Sequence, residues 1–387
     1  MKTQSPPVVL VAHPNPELYG ADRMLLETVR GLIGQGSKVI VTLPESGPLV
    51  AEMENCGATV VLCPTPVLRK GLANPVGLIL LTGEALKDAF RGLRLIRRVR
   101  PDVVYVSTVT VPLWFLLARL TRCPVLSHVH EAEQSASRIV RLALAAPLLL
   151  ATSIVANSHY SAGVLTSAIP HLKRRMTVIY NGVPGPPLPT ETRDSLKGRV
   201  RLLYVGRLSN RKGVDVTIDA AAELRRRDMN LQLDIVGAVY PGYEWYEQQL
   251  QRQVEALGLT HSVRFHGFMP DVWPFLVQTD IVLVPSRVDE PFGNTAVEAI
   301  LAARPLVVSQ TSGLREAAGG YESPQFVPID DARALADAVE RITKDWKCHT
   351  ISARIDSLRA ARRHDPQVYR TQINMAINEL AKFATRC

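Results

Sequence analysis

The segment Gly206-Arg207-Leu208-Ser209-Asn210-Arg211-Lys212-Gly213 combines glycines with fixed cations directly after the apolar run Arg201–Val205. Glycine lets a ligand approach the backbone, and the start of the helix expected near Val216 favours an anion. Arg207, Arg211 and Lys212 add point charges, so this turn suits the holding of a phosphate or diphosphate. The same composition also occurs on plain solvated turns. The segment matches neither the GxxxxGK[ST] phosphate loop nor the GxGxxG dinucleotide fingerprint.

A second stretch, Pro285 through Asp289 and Glu290 to Glu298, follows the apolar run Ile281–Val284. Gly293-Asn294-Thr295 opens a helix there, and the N–H groups of a helix start attract an anion. Glu290 in the loop and Glu298 two turns along can accept hydrogen bonds from sugar hydroxyls. Carboxylates that merely complement the helix are the plainer account. Third, His128-Val129-His130-Glu131 closes a strand, and its period of two puts both imidazoles on one face. No further ligands cluster nearby, so a satisfied histidine beside a polar cleft is expected rather than a metal pair. Fourth, Leu18-Tyr19-Gly20-Ala21-Asp22-Arg23 opens a helix after the first strand, where Gly20 permits close approach or simply starts the helix.

These loops need strands to carry them. In the first half, strands are predicted at Val8–Ala12, Lys38–Leu43, Thr59–Leu62, Val103–Ser107, Val125–Val129 and Ser153–Ala156. Helices are predicted near Asp22–Gly34, Glu84–Arg100 and Pro112–Leu120. In the second half, strands are predicted at Arg201–Val205, Gln232–Val236, Val263–Phe265, Ile281–Val284 and Leu306–Ser309, with helices near Val216–Arg226, Trp245–Leu257 and Thr295–Ala302. Apolar strands alternating with helices imply parallel sheets covered on both faces. The proline-rich run Gly182 to Pro189 reads as a linker, and a last helix spans about Gln367–Phe383. The fold class is therefore α/β: two doubly wound, Rossmann-like domains facing a central cleft. The expected domains are residues 1–183, 184–365 and a closing helix in 366–387. Ligands in such sheets sit beyond the carboxyl ends of the strands.

With 47% apolar and 21% charged residues the chain is globular, which excludes a disordered or fibrous protein. Its cysteines, Cys56, Cys63, Cys123, Cys348 and Cys387, are odd in number and scattered, which argues against a disulfide framework and for a reducing compartment. The run Val8–Ala12 is too short for a signal segment, and the longest uncharged run, Leu142 to Ser158, is broken by Pro147. A cytoplasmic location is expected. The net charge is +9, and residues 1–185 hold 19 of the 45 basic but only 11 of the 36 acidic residues, so nearly all the excess lies there. A basic half suggests an anionic partner. On the helix near Glu84–Arg100, Leu86, Ala89, Phe90, Leu93 and Ile96 are expected on one side and Lys87, Arg91, Arg94 and Arg98 on the other. Aromatic content is only 6%, and no nucleic-acid recognition motif stands out.

Together the four stretches resemble the retaining glycosyltransferases of the GT-B fold, glycosyltransferase family 4, over roughly Val8 to Asp330. Tyr204-Val205-Gly206-Arg207-Leu208 with Lys212-Gly213 is similar to the family's diphosphate motif, and Glu290-Pro291-Phe292-Gly293 through Glu298 is similar to its E-x7-E motif. Asn157-Ser158 and Val178-Ile179-Tyr180-Asn181-Gly182-Val183 resemble its interdomain landmarks. The family often has Gly-Gly where this chain has Tyr19-Gly20.

The resemblance implies that Arg207 and Lys212 hold the diphosphate of a nucleotide sugar, that Glu298 binds the ribose, and that Glu290 contacts the donor sugar. It places Gly20, Gly293, Asn294 and Thr295 near the phosphates, counts Gly206 and Phe292 among the donor-binding residues, and puts the base near Gly237 and Gly267-Phe268 and His130 opposite the transferred sugar. It also has the last helix crossing back to the first domain. The implied activity is transfer of a hexose-type sugar from a GDP- or UDP-linked donor to a glycan or lipid-linked acceptor in envelope or exopolysaccharide synthesis. Neither cofactor nor metal is expected, since no DxD occurs. From the basic first half, the expected partners include an anionic membrane surface, with the enzyme peripheral on the inner face of the cytoplasmic membrane, and composition argues against nucleic acid. The alternatives are a soluble storage-glucan or sucrose-type synthase and a nucleotide-sugar-binding module without catalysis.

Overall fold

The computed structural model describes residues 6–67, 75–188, 191–288 and 290–384, with backbone alone for 75–85 and 383–384. Pro189, Asp289 and Cys387 lie outside the described residues. Two compact units are present: residues up to Gly182 together with those from Pro366 onward, and Val183–Asp365.

The first unit runs β1 (Val8–Ala12), α1 (Gly20–Gly34), β2 (Lys38–Leu43), α2 (Pro48–Asn55), β3 (Thr59–Leu62), α3 (Pro75–Val99), β4 (Val103–Val106), α4 (Leu113–Leu120), β5 (Val125–Val129), α5 (Arg138–Ala145), β6 (Ser153–Ala156), α6 (His159–Ala168) and β7 (Met176–Val178). Its sheet has the order β3-β2-β1-β4-β5-β6-β7, every pairing parallel. In the second unit come β8 (Val200–Val205), α7 (Val214–Arg226), β9 (Leu231–Val236), α8 (Glu244–Ala256), β10 (Val263–Phe265), α9 (Trp273–Gln278), β11 (Ile281–Val284), α10 (Asn294–Leu301), β12 (Leu306–Ser309), α11 (Ser312–Ala317), β13 (Pro324–Val327), α12 (Ala332–Lys344) and α13 (Trp346–Arg363). That sheet has the order β10-β9-β8-β11-β12-β13, again parallel throughout.

Both orders are doubly wound, and both reverse direction beside their first strand, at β1/β4 and at β8/β11. The central strands are continuous apolar runs because helices cover both faces: β4 (Val-Val-Tyr-Val) and β11 (Ile-Val-Leu-Val) are buried at every position. The closing helix α14 (Pro366–Ala384) packs on α1 within the first unit. It buries Tyr369, Ile373 and Ile377, and Arg370 Nε donates to Glu27 at 2.9 Å. Thr28 and Tyr369 hydroxyls lie 2.7 Å apart, and Asn374 Nδ2 donates to the Gly31 carbonyl at 3.0 Å.

One expectation fails on α3. Its inward stripe runs through Ala89, Leu93 and Ile96, which pack with Trp114 and Leu117. Leu86 and Phe90, expected on that apolar side, are 72% and 64% exposed. Phe90 sits one residue past the stripe, about 100° round the helix, and carries the Arg94 guanidinium 5.6 Å above its ring.

Candidate active site

At the carboxyl end of β8 the chain turns through Gly206 and Arg207 into a 3₁₀ turn, Asn210–Lys212, and enters α7 at Gly213. Gly213 has φ +66°, and a Cβ there would lie 2.1 Å from the Pro285 carbonyl oxygen. Only glycine allows the loop after β8 to lie this close against the loop after β11. A second tie fixes the same pair of loops. Arg287 donates through Nη1 and Nη2 to Asp215, each at 2.7 Å, and its backbone N–H donates to the Arg211 carbonyl at 2.8 Å. Asp330 accepts from Arg287 Nε at 2.7 Å.

Locking these loops brings Lys212 to Glu290. The ammonium lies 2.8 Å from Oε1 and 2.6 Å from Oε2, and Ser286 Oγ donates to Oε2 at 3.1 Å. Glu290 is held from behind as well: its N–H donates to Ser312 Oγ at 2.9 Å, and its carbonyl accepts from the Gly313 N–H at 2.9 Å. The Glu290 side chain is 13% exposed and that of Lys212 36%, so the pair is anchored on the carboxylate side and open on the ammonium side. An ammonium has three donors, which leaves it capacity for an incoming anion.

Around this pair the remaining expected residues take distinct places. Gly237 lies so close to Gly206 that a Cβ on it would sit 1.8 Å from the Gly206 carbonyl oxygen, and its φ is +142°. Gly206 N–H donates to Val236 at 3.0 Å and Gly237 N–H to Gly267 at 2.7 Å, so the pairing of β8, β9 and β10 continues past the strand ends as a side-chain-free floor. Phe268 follows it, 36% exposed. Arg207 stands with its guanidinium 5.1 Å from the Tyr240 ring centroid, while its carbonyl accepts from the Tyr204 hydroxyl at 3.1 Å. Gly293 caps α10, whose first residues are Asn294 and Thr295, and Glu298 lies 9% exposed on its next turn. Phe292 lies just ahead of that cap with its side chain buried. It is 1% exposed, edge-on to His364 at 5.7 Å, so its ring packs the base of the loop and has no surface for a ligand.

His130 and Gly20 belong to the first unit. The His128 and His130 rings lie with centroids 4.0 Å apart and planes tilted by 42°, neighbours on one strand face, and His128 Nδ1 lies 2.6 Å from the Tyr105 hydroxyl. Behind them His13 Nε2 bonds Asp22 Oδ1 at 2.8 Å and His13 Nδ1 bonds Ser107 Oγ. The Asp22 carboxylate also accepts from the Tyr19 N–H at 2.8 Å, fixing the start of α1 beside Gly20. Burial raises the Glu131 carboxyl, which accepts from the Thr108 hydroxyl and, at 3.1 Å, from the His130 N–H. Burial first, and then the neighbouring His13, pushes His130 down to about 3. Burial and then His130 push His128 well below the ordinary imidazole range.

The neutrality of His130 has a measurable consequence. Between about pH 3 and 6.5 the unfolded chain binds a proton at this ring that the folded chain refuses. The associated stability is complete above about pH 6.5 and is lost as pH falls toward 3. The melting temperature is expected to drop on acidification from pH 7 to 4, and His130→Gln to flatten that slope. Equal slopes for wild type and variant, measured by thermal melts across that range, would contradict a buried neutral ring.

Among the described residues, no three His, Cys, Asp or Glu side chains converge as a metal set. Two family models match. "Glycosyltransferase Family 4" covers residues 19–185, and "Glycosyl transferases group 1" covers residues 191–356. The chain belongs to glycosyltransferase family 4.

Its curated relatives include glycogen synthase of Mycobacterium tuberculosis, 29% identical over 266 residues that span 64% of this chain and 62% of that protein. Lipopolysaccharide 1,2-N-acetylglucosaminetransferase of Salmonella typhimurium is 30% identical over 166 residues, 41% of this chain and 42% of that protein. The chain thus spans less than two thirds of the length of these relatives. In fold it is similar to Anabaena HepE, solved in complex with UDP-glucose, with TM-score 0.82 and 20% identity over 96% of this chain and all of that one. The fold is GT-B.

Residues that sequence analysis of this family 4 glycosyltransferase missed are those that hold the site rather than face it: Asp215, Arg287, Ser286 and Ser312 in the second unit, and His13, Asp22 and Ser107 in the first. A histidine just beyond a predicted strand, an aspartate at a helix start and a serine closing a predicted strand were the available signal for the second group.

Proposed function

We propose that the chain is a retaining glycosyltransferase that moves a hexose from a UDP-linked donor to a hydroxyl of a glycan or lipid-linked acceptor of the cell envelope. The Lys212–Glu290 pair, pinned at the β8/β11 switch point beside the α10 N-terminus, carries this reading. The donor's diphosphate lies against Lys212, Arg207 and the first amides of α10, and Glu298 takes the ribose hydroxyls. As the C1–O bond to the diphosphate breaks, its electron pair stays on the leaving phosphate. Charge-assisted hydrogen bonds from fixed cations stabilise that growing charge, each worth roughly 1.5–3 kcal/mol. The acceptor oxygen bonds to C1 on the same face, and its proton passes to the leaving phosphate. Glu290 holds Lys212 and contacts the sugar; it is not the nucleophile. The UDP preference draws on Anabaena HepE, solved in complex with UDP-glucose. The envelope acceptor draws on the lipopolysaccharide transferase.

No helix among the described residues is long and apolar enough to cross a membrane. Association with anionic lipid is instead assigned to exposed Lys87, Arg91, Arg94 and Arg98 on α3, together with exposed Leu86 and Phe90. A second reading, a glucan synthase, draws on the match to glycogen synthase over 266 residues. A glucan primer serving as acceptor without any lipid would favour it.

The test is release of UDP and labelled product from UDP-glucose, with and without EDTA. Transfer is expected to persist in EDTA, because side-chain cations neutralise the diphosphate. Complete loss, restored by Mg²⁺ or Mn²⁺, would overturn the charge assignment. No turnover with any UDP- or GDP-linked hexose would overturn the function.

A further inference from the structure

A covered parallel sheet should present apolar residues on both faces. One face of the second sheet breaks this rule near the amino ends of its strands. Arg201 on β8 pairs in register with Gln232 on β9, and Leu203 on β8 and Arg264 on β10 both pair with Asp234 on β9. These positions alternate by two along each strand, so they share a face. They line a half-open cavity of about 370 Å³, flanked by Phe275 and Gln278 of α9 and by Arg193 and Arg199 from the chain leading into β8.

Its charge is unbalanced. Four arginines line the cavity, at positions 193, 199, 201 and 264. Two carboxylates stand against them. Asp280, 1% exposed, accepts from Arg193 Nε at 2.9 Å and from Arg201 Nη2 at 3.0 Å. Asp234 is engaged by His266 Nε2 at 2.7 Å. Arg199 donates to Gln232 Oε1 at 2.9 Å, and Arg264 is exposed. Gln232 is 5% exposed, yet its Nε2 donor has no partner. A buried amide donor left unmade costs about 1–3 kcal/mol, so its partner is expected to be a ligand with an acceptor oxygen.

We infer that this cavity is a second ligand site that binds a small phosphate monoester on a sugar, with the phosphate against Arg199 and Arg264 and a sugar oxygen at Gln232. Guanidinium forks match a phosphate's oxygens in pairs. The volume is that of a small organic ligand and exceeds what one inorganic phosphate fills. The Phe275 ring gives a sugar face something to lie on. The site is separate from the donor end: from Leu203, the last residue of β8 to line it, four residues, roughly 13 Å, lead to Arg207 in the loop that also carries Lys212.

The probe is glucose 6-phosphate, titrated calorimetrically into wild type, Arg264→Gln, Gln232→Glu and Lys212→Ala. Glucose 6-phosphate should bind wild type and Lys212→Ala alike. Arg264→Gln should weaken it about tenfold or more, and Gln232→Glu, which removes the amide donor to the sugar oxygen and sets a competing carboxylate beside Arg199, should abolish it. Both variants should melt as wild type without ligand, since Arg264 is exposed and Glu still accepts from Arg199. Glucose should not bind, and inorganic phosphate should bind more weakly than the ester. Three outcomes would each overturn the proposal: no binding to wild type at millimolar ester, binding lost in Lys212→Ala but kept in Arg264→Gln, or equal affinity for phosphate and its sugar ester. The first leaves the transferase reading intact, because donor turnover is measured separately.

Discussion

Lys212→Ala is expected to lower the turnover number of sugar transfer on the order of 10²- to 10³-fold. The ammonium is held at 2.8 and 2.6 Å by a carboxylate that is itself fixed by Ser286 and by the backbone around Ser312. It therefore needs no reorganisation when charge develops on the leaving diphosphate, and removing one such preorganised donor costs this much in enzymes generally. The loss should fall mainly on turnover, because the charge grows most in the transition state. Arg207→Ala acts on the same diphosphate and should show a similar but not additive loss. The fold should survive, since the Lys212 side chain is 36% exposed and Gly213, Asp215 and Arg287 still tie the loops. Steady-state kinetics with uridine binding as control decide it. Full activity, or an equal loss of affinity for the phosphate-free nucleoside, would remove Lys212 from the leaving group.

The parallel sheets were legible because a doubly covered strand must be a continuous apolar run, and β1, β4 and β11 are. Part of what escaped was short or half-exposed, although α12 and α13, 13 and 18 residues long, escaped as well. β7 spans Met176–Val178 with no buried position, and α5 leaves Ile139 79% exposed, so neither carries a periodic signal. Lys212 and Glu290 could be named because each sits in a local pattern that chemistry explains. Their partnership could not, since it joins positions 78 apart, and Arg287 with Asp215 joins positions 72 apart. The same holds for His13 and Ser107, 94 apart. Local composition announces a loop that can hold an anion, whereas the residues that stiffen it are visible only once two loops are adjacent. Gly213 shows the boundary: its place at a helix start was readable, but the Pro285 carbonyl that forbids any other residue was not.

Replacing Lys87, Arg91, Arg94 and Arg98 together by Gln is expected to weaken binding to anionic vesicles by up to several hundredfold. All four side chains are exposed along α3, and Leu86 and Phe90 stand out beside them at 72% and 64% exposure. α3 packs on α4, which packs on the 3₁₀ turn Ala146–Leu150, and that turn packs on α5. These neighbours also show apolar side chains, with Leu120 66% and Ile139 79% exposed. Basic residues that ring apolar ones suit the interface of an anionic bilayer better than they suit water, because lipid takes both at once. Each basic side chain near such a surface contributes about 1 kcal/mol, so four amount to about 4. Binding should also fall steeply with salt, over a screening length of about 8–10 Å. The substitution leaves Ala89, Leu93 and Ile96 on their packing stripe, so the melting temperature and turnover on a water-soluble acceptor should not change. Co-sedimentation with phosphatidylserine vesicles at low and high salt reads the effect. Should variant and wild type sediment alike, the basic face is a solvated surface, and the charge excess of residues 1–185 then has no bearing on where the enzyme works.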